Sequence, residues 1–330
     1  MYRINFARNI DPSKWGKLLL NSKDATVFHT YEWVQTLNKT YPNYKPLFLV
    51  ASDEDGELVG GMPIIALRQK GFRHFLSMPF GTYGGFLIKD NMDENLRIAG
   101  LKKFYRLTRW NHGESIVIDF PKKCGFLESL GFEWKKNFTH VLELNLPFDE
   151  IWTKIFSKKV RNETRQALKR GVVTEELKDA SQLEGACDMI SKTYERHKIQ
   201  PYPLKLYENI LGIMGERKLV RWLIAKYNEK PIATSMFFTF KDNVIYWMNA
   251  SYVEYRNLQP NNLLLSEMIK WSCENGYKYF NFGASPSEAN GLIRFKENWG
   301  ARKTEYNSYE KVSPTFKFAS FCKRILSRRR

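Results

Sequence analysis

Lys158, Arg161, Arg165 and Lys169 follow one another by three or four positions. On a helix that spacing puts all four on one face, and like charges so placed, with no acid between them on that face, repel unless an anion sits against them. Phosphate is the natural anion. A second basic run closes the chain, where residues 311–330 carry Lys311, Lys317, Lys323, Arg324, Arg328, Arg329 and Arg330 and no acid. The chain as a whole sets 52 Lys and Arg against 35 Asp and Glu, a net charge of +17. Such an excess suits nucleic acid, a phosphorylated substrate or an anionic membrane face.

Other chemistries have little to build on. His29, His74, His112, His140 and His197 form no HExxH or His-x-His pair. Cys124, Cys187, Cys273 and Cys322 lie too far apart for paired zinc ligands or a disulfide framework. No metal site is expected, and the thiols read as reduced. No Ser-His-Asp or Cys-His grouping is evident, so a transferred group would move by direct attack in a ternary complex, without a covalent enzyme intermediate.

These residues need a frame, and 330 residues is more than one core usually holds, so the expectation is two domains or one domain built twice. With 43% hydrophobic and 15% aromatic residues, disorder is excluded as the main state. No apolar stretch approaches the roughly 20 residues of a membrane span. The charged start MYRINFARNIDPSKW has no signal-peptide run, so a cytoplasmic protein is expected.

The order of elements repeats. LFLVASDEDGELVGGMPIIAL (47–67) and LVRWLIAKYNEKPIATSMFFTF (219–240) both read as hairpins. A third strand follows, near FGTYGGFLI in the first half and NVIYWMNAS in the second. The helices NLRIAGLKKFYRLTRW and NNLLLSEMIKWSCENG come next, then the strands ESIVIDF and KYFNFGA. Short helices closed by glycine, GFLESLG and GLIRFKENWG, lead into last strands THVLEL and EYNSYEKV. DEIWTKIFSKKVRNETRQALKRG joins the halves as a helix ending at Gly171. The fold class is α/β: two lobes, each a mixed, mostly antiparallel sheet flanked by helices. They divide as 1–147, 148–312 and a tail 313–330.

This layout is similar to tandem lobes of the GNAT acyltransferase fold. The words over 244–300, with KTYERHKIQPYP, SKKVRNETRQALKRGV and FHTYEWVQTL, resemble the Fem-type (FemABX) aminoacyltransferases. That resemblance spans nearly the whole chain, strong over 244–300 and looser over 1–145. It implies transfer of an amino acid from aminoacyl-tRNA to the peptide of a cell-wall precursor. It also implies a catalytic role for the Phe295–Lys296 pair. The internal repeat singles out the same place: aligning Gly131 with Gly300 sets Phe126–Leu127 opposite Phe295–Lys296, so only the second lobe has a cation there. An amine attacking an ester or thioester builds negative charge on the carbonyl oxygen, and Lys296 could stabilise it or hold a phosphate of the donor.

Two departures redirect the substrate reading. GNAT enzymes that use acetyl-CoA place a glycine-rich loop before the corresponding helix, whereas YRNLQPNNLLL has none, which favours a donor other than coenzyme A. Family members that bind a nucleotide-linked muropeptide use a lysine shortly after the tryptophan matching Trp33 and an arginine where this chain has Tyr202; Leu37 stands in place of the lysine. A different acceptor is expected. Lys158, Arg161, Arg165, Trp33 and Tyr202 are the substrate-binding candidates, with Tyr246, Trp247 and Asn249 on a strand facing a cleft and Asn261 and Asn262 opening the next helix. Core packing is the commoner role for the aromatics.

The tail PTFKFASFCKRILSRRR sets Phe318, Phe321, Cys322 and Ile325 on one side of a helix and Lys317, Arg324 and Arg328 on another, an interfacial pattern suited to the inner membrane face and a lipid-carried acceptor. The first reading is an acyltransferase acting on an amine of a lipid- or nucleotide-linked envelope precursor, peptidoglycan or surface glycan. Its donor is aminoacyl-tRNA, and no cofactor is tightly bound. The alternatives are an acyl-CoA-dependent N-acyltransferase on an amino sugar in polysaccharide assembly, and a non-catalytic basic module on RNA or membrane.

Overall fold

The computed structural model describes all residues except 1, 122, 124, 179, 287, 329 and 330, and no side chain at 180, 321 or 323–328. Cys124, Arg329 and Arg330 lie outside the described residues, as do the tail side chains of Phe321, Lys323, Arg324, Ile325 and Arg328. Among the described residues there are thirteen strands: β1 (Arg3–Ala7), β2 (Lys45–Ser52), β3 (Leu58–Gln69), β4 (Phe72–Leu76), β5 (Leu87–Ile88), β6 (Glu114–Asp119), β7 (Glu133–Glu143), β8 (Val173–Glu176), β9 (Val220–Tyr227), β10 (Lys230–Phe240), β11 (Asn243–Ser251), β12 (Tyr279–Ala284) and β13 (Arg302–Val312).

Two compact units emerge, Met1–Asn137 with Glu305–Arg330, and Phe138–Thr304. Their boundaries fall inside β7 and β13, so the closing strands are exchanged. β13 pairs with β6 in unit 1, and the later part of β7 pairs with β12 in unit 2. The sequence reading had each half keep its own last strand. Periodicity identifies a strand but carries no information about which sheet edge it joins.

Each unit repeats one core motif. In unit 1, antiparallel β2–β3–β4 meets β6 in a parallel pair, His74–Leu76 beside Glu114–Ile116. In unit 2, β9–β10–β11 meets β12 in a parallel pair, Asn243–Ile245 beside Tyr279–Asn281. The third strand of the first half is therefore Phe72–Leu76, and the FGTYGGFLI segment is a loop containing the two-residue β5. Its glycines serve close approach: a Cβ on Gly85 would meet Asp119 Oδ1 at 1.4 Å. The hairpin turns match their sequences. Gly56 takes φ +79° after Asp55, and Asn228 and Glu229 take φ +48° and +59°, as a tight turn between twisted strands requires.

The long helices follow from caps and apolar spacing. Asp93 accepts from the Asn95 amide to start Glu94–Thr108. Pro260 opens Pro260–Glu274, where its missing N–H costs nothing. Around the first helix lie Leu49, Met62, Phe86, Leu101, Phe104 and Tyr309; around the second lie Phe156, Phe237, Leu264, Met268, Phe280 and Trp299. The helix Pro314–Arg328 is present as expected, and Phe316 packs its ring edge-on against Phe72 and His74. Phe318 is 70% exposed.

Gly100 marks where the first core is tightest, since an alanine Cβ there would lie 2.2 Å from a ring carbon of buried Phe86. Gly100→Ala should lower the urea midpoint by an amount equivalent to about 1–3 kcal/mol, the usual cost of overpacking. An unchanged midpoint would mean the helix is free to shift.

Candidate functional site

β12 and the helix Asn290–Asn298 build the site. Alternation along β12 sends Phe280 and Phe282 into the core and Asn281 the other way. Asn281 Oδ1 accepts from Thr139 Oγ1 of β7 at 2.5 Å and from the Gly283 amide at 2.8 Å. Those bonds hold Gly283 at φ +74°, a left-handed conformation that favours glycine. The pairing of β12 with β11 ends at Asn281, and the chain beyond it presents the Gly283 and Ala284 carbonyls to the helix.

Lys296 answers those carbonyls from the helix. Its Nζ donates to Gly283 O at 2.8 Å, Ala284 O at 2.7 Å and Ser285 Oγ at 2.9 Å, which uses all three ammonium hydrogens. The side chain is 3% exposed, and burial pushes its pKa down to about 8. The ammonium therefore lies inside unit 2 and not in bulk water. Ser285 Oγ also lies 2.7 Å from His140 Nδ1 on β7. His140 is wholly buried, and burial first and Lys296 second hold its pKa below the usual imidazole range.

Gly300, at φ +78°, ends the helix, and Trp299 anchors it edge-on to Phe156 at 4.9 Å. Phe295 packs on the same core, 6.4 Å from Trp299 between ring centroids, so it orients Lys296 by fixing the helix face.

The remaining candidates divide. On the helix Lys158–Lys169, Arg161 turns inward and Nη1 donates to the carbonyls of Trp152, Thr153 and Phe156, closing the turn over Ile151–Ile155. This corrects its assignment to the anion-facing row: the turn Ile151–Ile155 ends at Phe156, where the backbone becomes extended, and Arg161 supplies donors to the carbonyls there. Lys158 and Lys169 remain exposed, and Arg165 lies over the Trp152 ring at 5.5 Å. Tyr246 stacks on Phe237, and burial raises its hydroxyl pKa, as befits a core residue. Trp247 occupies a bulge, because the register passes from Met236–Met248 to Phe237–Tyr246, and it stacks on Tyr202 at 5.7 Å. Asn249 is exposed. Asn261 bonds Ser251 Oγ at 3.4 Å, and Asn262 bonds Glu163 at 2.7 Å. Trp33 is 0% exposed beside Phe28 in unit 1, which corrects its reading as a substrate contact: the helix Tyr31–Thr40 turns it toward its own core.

Sequence reasoning missed His140, Ser285, Asn281 and Thr139. His140 and Lys296 are far apart along the chain, and only the exchange of β7 into unit 2 joins them. The small-residue run FGASPS between strand and helix was the one local hint of a tight turn.

Residues 155–297 match the family model of the acetyltransferase (GNAT) domain. The chain is 27% identical over 137 residues to the Lipid II:glycine glycyltransferase of Staphylococcus haemolyticus (strain JCSC1435), a match covering 38% of this chain and only 33% of that protein. The crystal structure of FemX superposes with a TM-score of 0.76 at 16% identity, over 94% of this chain and 97% of that one. The C-terminal domain of a lysylphosphatidylglycerol synthetase from Agrobacterium fabrum gives 0.62 at 11% identity, over 95% and 96%. A tandem GNAT protein of clavulanic acid biosynthesis gives 0.58 at 11% identity, over 94% and 98%. The resemblance to Fem-type GNAT proteins and the tandem fold are borne out.

Arg161 and Lys158 give opposing outcomes on one helix. Arg161→Ala should destabilise by about 1–2 kcal/mol, near the range for bonds from a charged donor. Lys158→Ala should stay within about 0.5 kcal/mol. Equal midpoints in urea unfolding would show that Arg161 closes nothing.

Proposed function

We propose, from the match of residues 155–297 to the acetyltransferase (GNAT) domain, that the protein transfers an aminoacyl group from aminoacyl-tRNA to an amine of a cell-envelope precursor. The observation that carries this reading is the buried Lys296 ammonium at the turn where β12 leaves β11. A fixed positive charge in a low-dielectric site stabilises the oxyanion that forms when an amine attacks an acyl ester. All three of its hydrogens are bonded within the chain, so the charge acts through its field and through the turn it holds. The transfer is direct: the amine nitrogen bonds to the acyl carbon, the acyl C–O ester bond breaks, and the proton the nitrogen sheds is balanced by the one the leaving ester oxygen takes up as it departs as a hydroxyl.

The donor and acceptor rest on further support. The net charge of +17 fits the phosphates of tRNA, and Lys158, Arg165 and Lys169 stand exposed on one helix. Before the helix Pro260–Glu274 the chain turns at Gln259, φ +57°, with no glycine run to cradle a pyrophosphate. The partly matching relative is named for glycyl transfer to Lipid II, which makes a lipid-linked peptidoglycan precursor the acceptor to test first. The helix Pro314–Arg328, with exposed Phe318, would bring the enzyme to the inner membrane face where such a precursor lies. An acyl-CoA donor acting on an amino sugar is the competing outcome.

Radiolabel transfer tests both. Labelled glycyl-tRNA should give labelled precursor where labelled acetyl-CoA gives none, and Lys296→Ala should lower kcat by about 100-fold or more, the usual loss for a group stabilising an oxyanion. The wild-type rate should fall above about pH 8, where Lys296 loses its charge. Transfer from acetyl-CoA alone, or an active Lys296→Ala variant, would overturn the proposal.

A further inference from the structure

Lys296, Ser285 and His140 lie in one hydrogen-bonded row, and the donor count along it is constrained. The charged ammonium fills its three bonds with Gly283 O, Ala284 O and Ser285 Oγ. Ser285 Oγ is then an acceptor from Lys296, and its own hydrogen points to His140 Nδ1 at 2.7 Å. Serine has a second lone pair, but among the described residues His140 Nδ1 is the acceptor within reach of the Ser285 hydrogen, so Nδ1 accepts and the neutral ring carries its hydrogen on Nε2. That nitrogen is buried and has no hydrogen-bond partner among the described residues. A buried donor left over at the end of a row is a feature that needs a reason.

We propose that Ser285 and His140 are positioning residues of the transfer site, forming a relay in which the protonation of Lys296 sets the tautomer of His140. When Lys296 gives one proton to solvent, Nζ gains a lone pair. The Ser285 hydrogen turns from His140 Nδ1 to that lone pair, and Ser285 Oγ then faces His140 as an acceptor. His140 exchanges its Nε2 hydrogen with solvent for one on Nδ1, which donates to Ser285, and the ring stays neutral throughout. His140 Nε2 is thereby a donor while Lys296 is charged and an acceptor once it is not. The other charges acting on His140 are Glu297, on the same helix as Lys296, and Lys303 of β13, and these two oppose each other. The change in the row therefore follows Lys296. The link to catalysis rests on the proposed function; the relay itself does not.

Ring nitrogen NMR on the full chain, labelled with ¹⁵N-histidine, reads the tautomer without any substrate, and His140→Gln assigns the signal among the five histidines. His140 should show the Nε2–H form near pH 6.5 and the Nδ1–H form above about pH 8, with the change lost in Lys296→Met. Should Lys296→Met fail to fold, Ser285→Ala supplies the comparison, because without the hydroxyl the tautomer no longer follows pH. Ser285→Ala should also move the falling limb of the transfer rate to lower pH with KM unchanged, since it removes one acceptor that favours the charged amine. A single tautomer across the pH range, or a switch that persists in Ser285→Ala, would overturn the relay. Loss of Lys296 dependence in transfer with the switch intact would instead overturn the proposed function alone.

Discussion

A buried ammonium is costly unless every hydrogen finds an acceptor, and the second unit is organised around meeting that demand for Lys296. Two of the acceptors are main-chain carbonyls, so they can converge only if the strand stops being a strand at Gly283. Asn281 enforces this by taking the Gly283 amide, and Thr139 of β7 bonds the same carboxamide oxygen. The third acceptor, Ser285, is held in turn by the hydrogen bond its backbone N–H donates to Phe138 O at 2.8 Å. Remove the cation and these groups face one another with nothing to join them. The turn, the parting of β12 from β11 and the position of Lys296 are one constraint seen from three sides.

The duplicated unit shows what the same frame does without that cation. Leu127 stands at the repeat position of Lys296 and is fully buried in the first core. The strand corresponding to β12 is β6, which ends in Asp119, a buried carboxyl whose pKa burial pushes up to about 7 against the pull of Arg97. Arg97 is itself tied to Asp24 and Glu94, both at 2.9 Å. One unit thus closes its strand end with a carboxylate and guanidinium network, the other with an ammonium against carbonyls. Gly85 is the cost of the first arrangement, because no side chain fits beside Asp119.

Much of this frame could be read from the chain, because it rests on local signals. The hairpins, the helices and their glycine or proline ends each follow from spacing within a few residues, and Leu127 against Lys296 follows from aligning two glycines. What could not be read depends on distant pairing. His140 falls on a strand whose sheet is decided by the exchange of β7 and β13. Trp33 and Arg161 had the right types for binding, but a helix face can point to the core or to water. Arg161 was committed inward by the carbonyls of Trp152, Thr153 and Phe156, freed where the helix before it breaks.

That inward turn changes what the net charge means. With Arg161 closing a turn, Arg165 lying over Trp152 and Lys159 near Glu163 at 3.9 Å, the helix offers fewer unengaged cations than its sequence suggests. Exposed cations spread over a surface raise the rate of encounter with an anion but give little discrimination between anions. Discrimination must come from groups fixed in place, and in unit 2 the rigid elements are the turn at Gly283, the bulge at Trp247 stacked on Tyr202, and Asn262 held by Glu163. In the proposed transfer, charge serves encounter with a phosphate-bearing donor, and discrimination between acyl esters falls to fixed groups such as these.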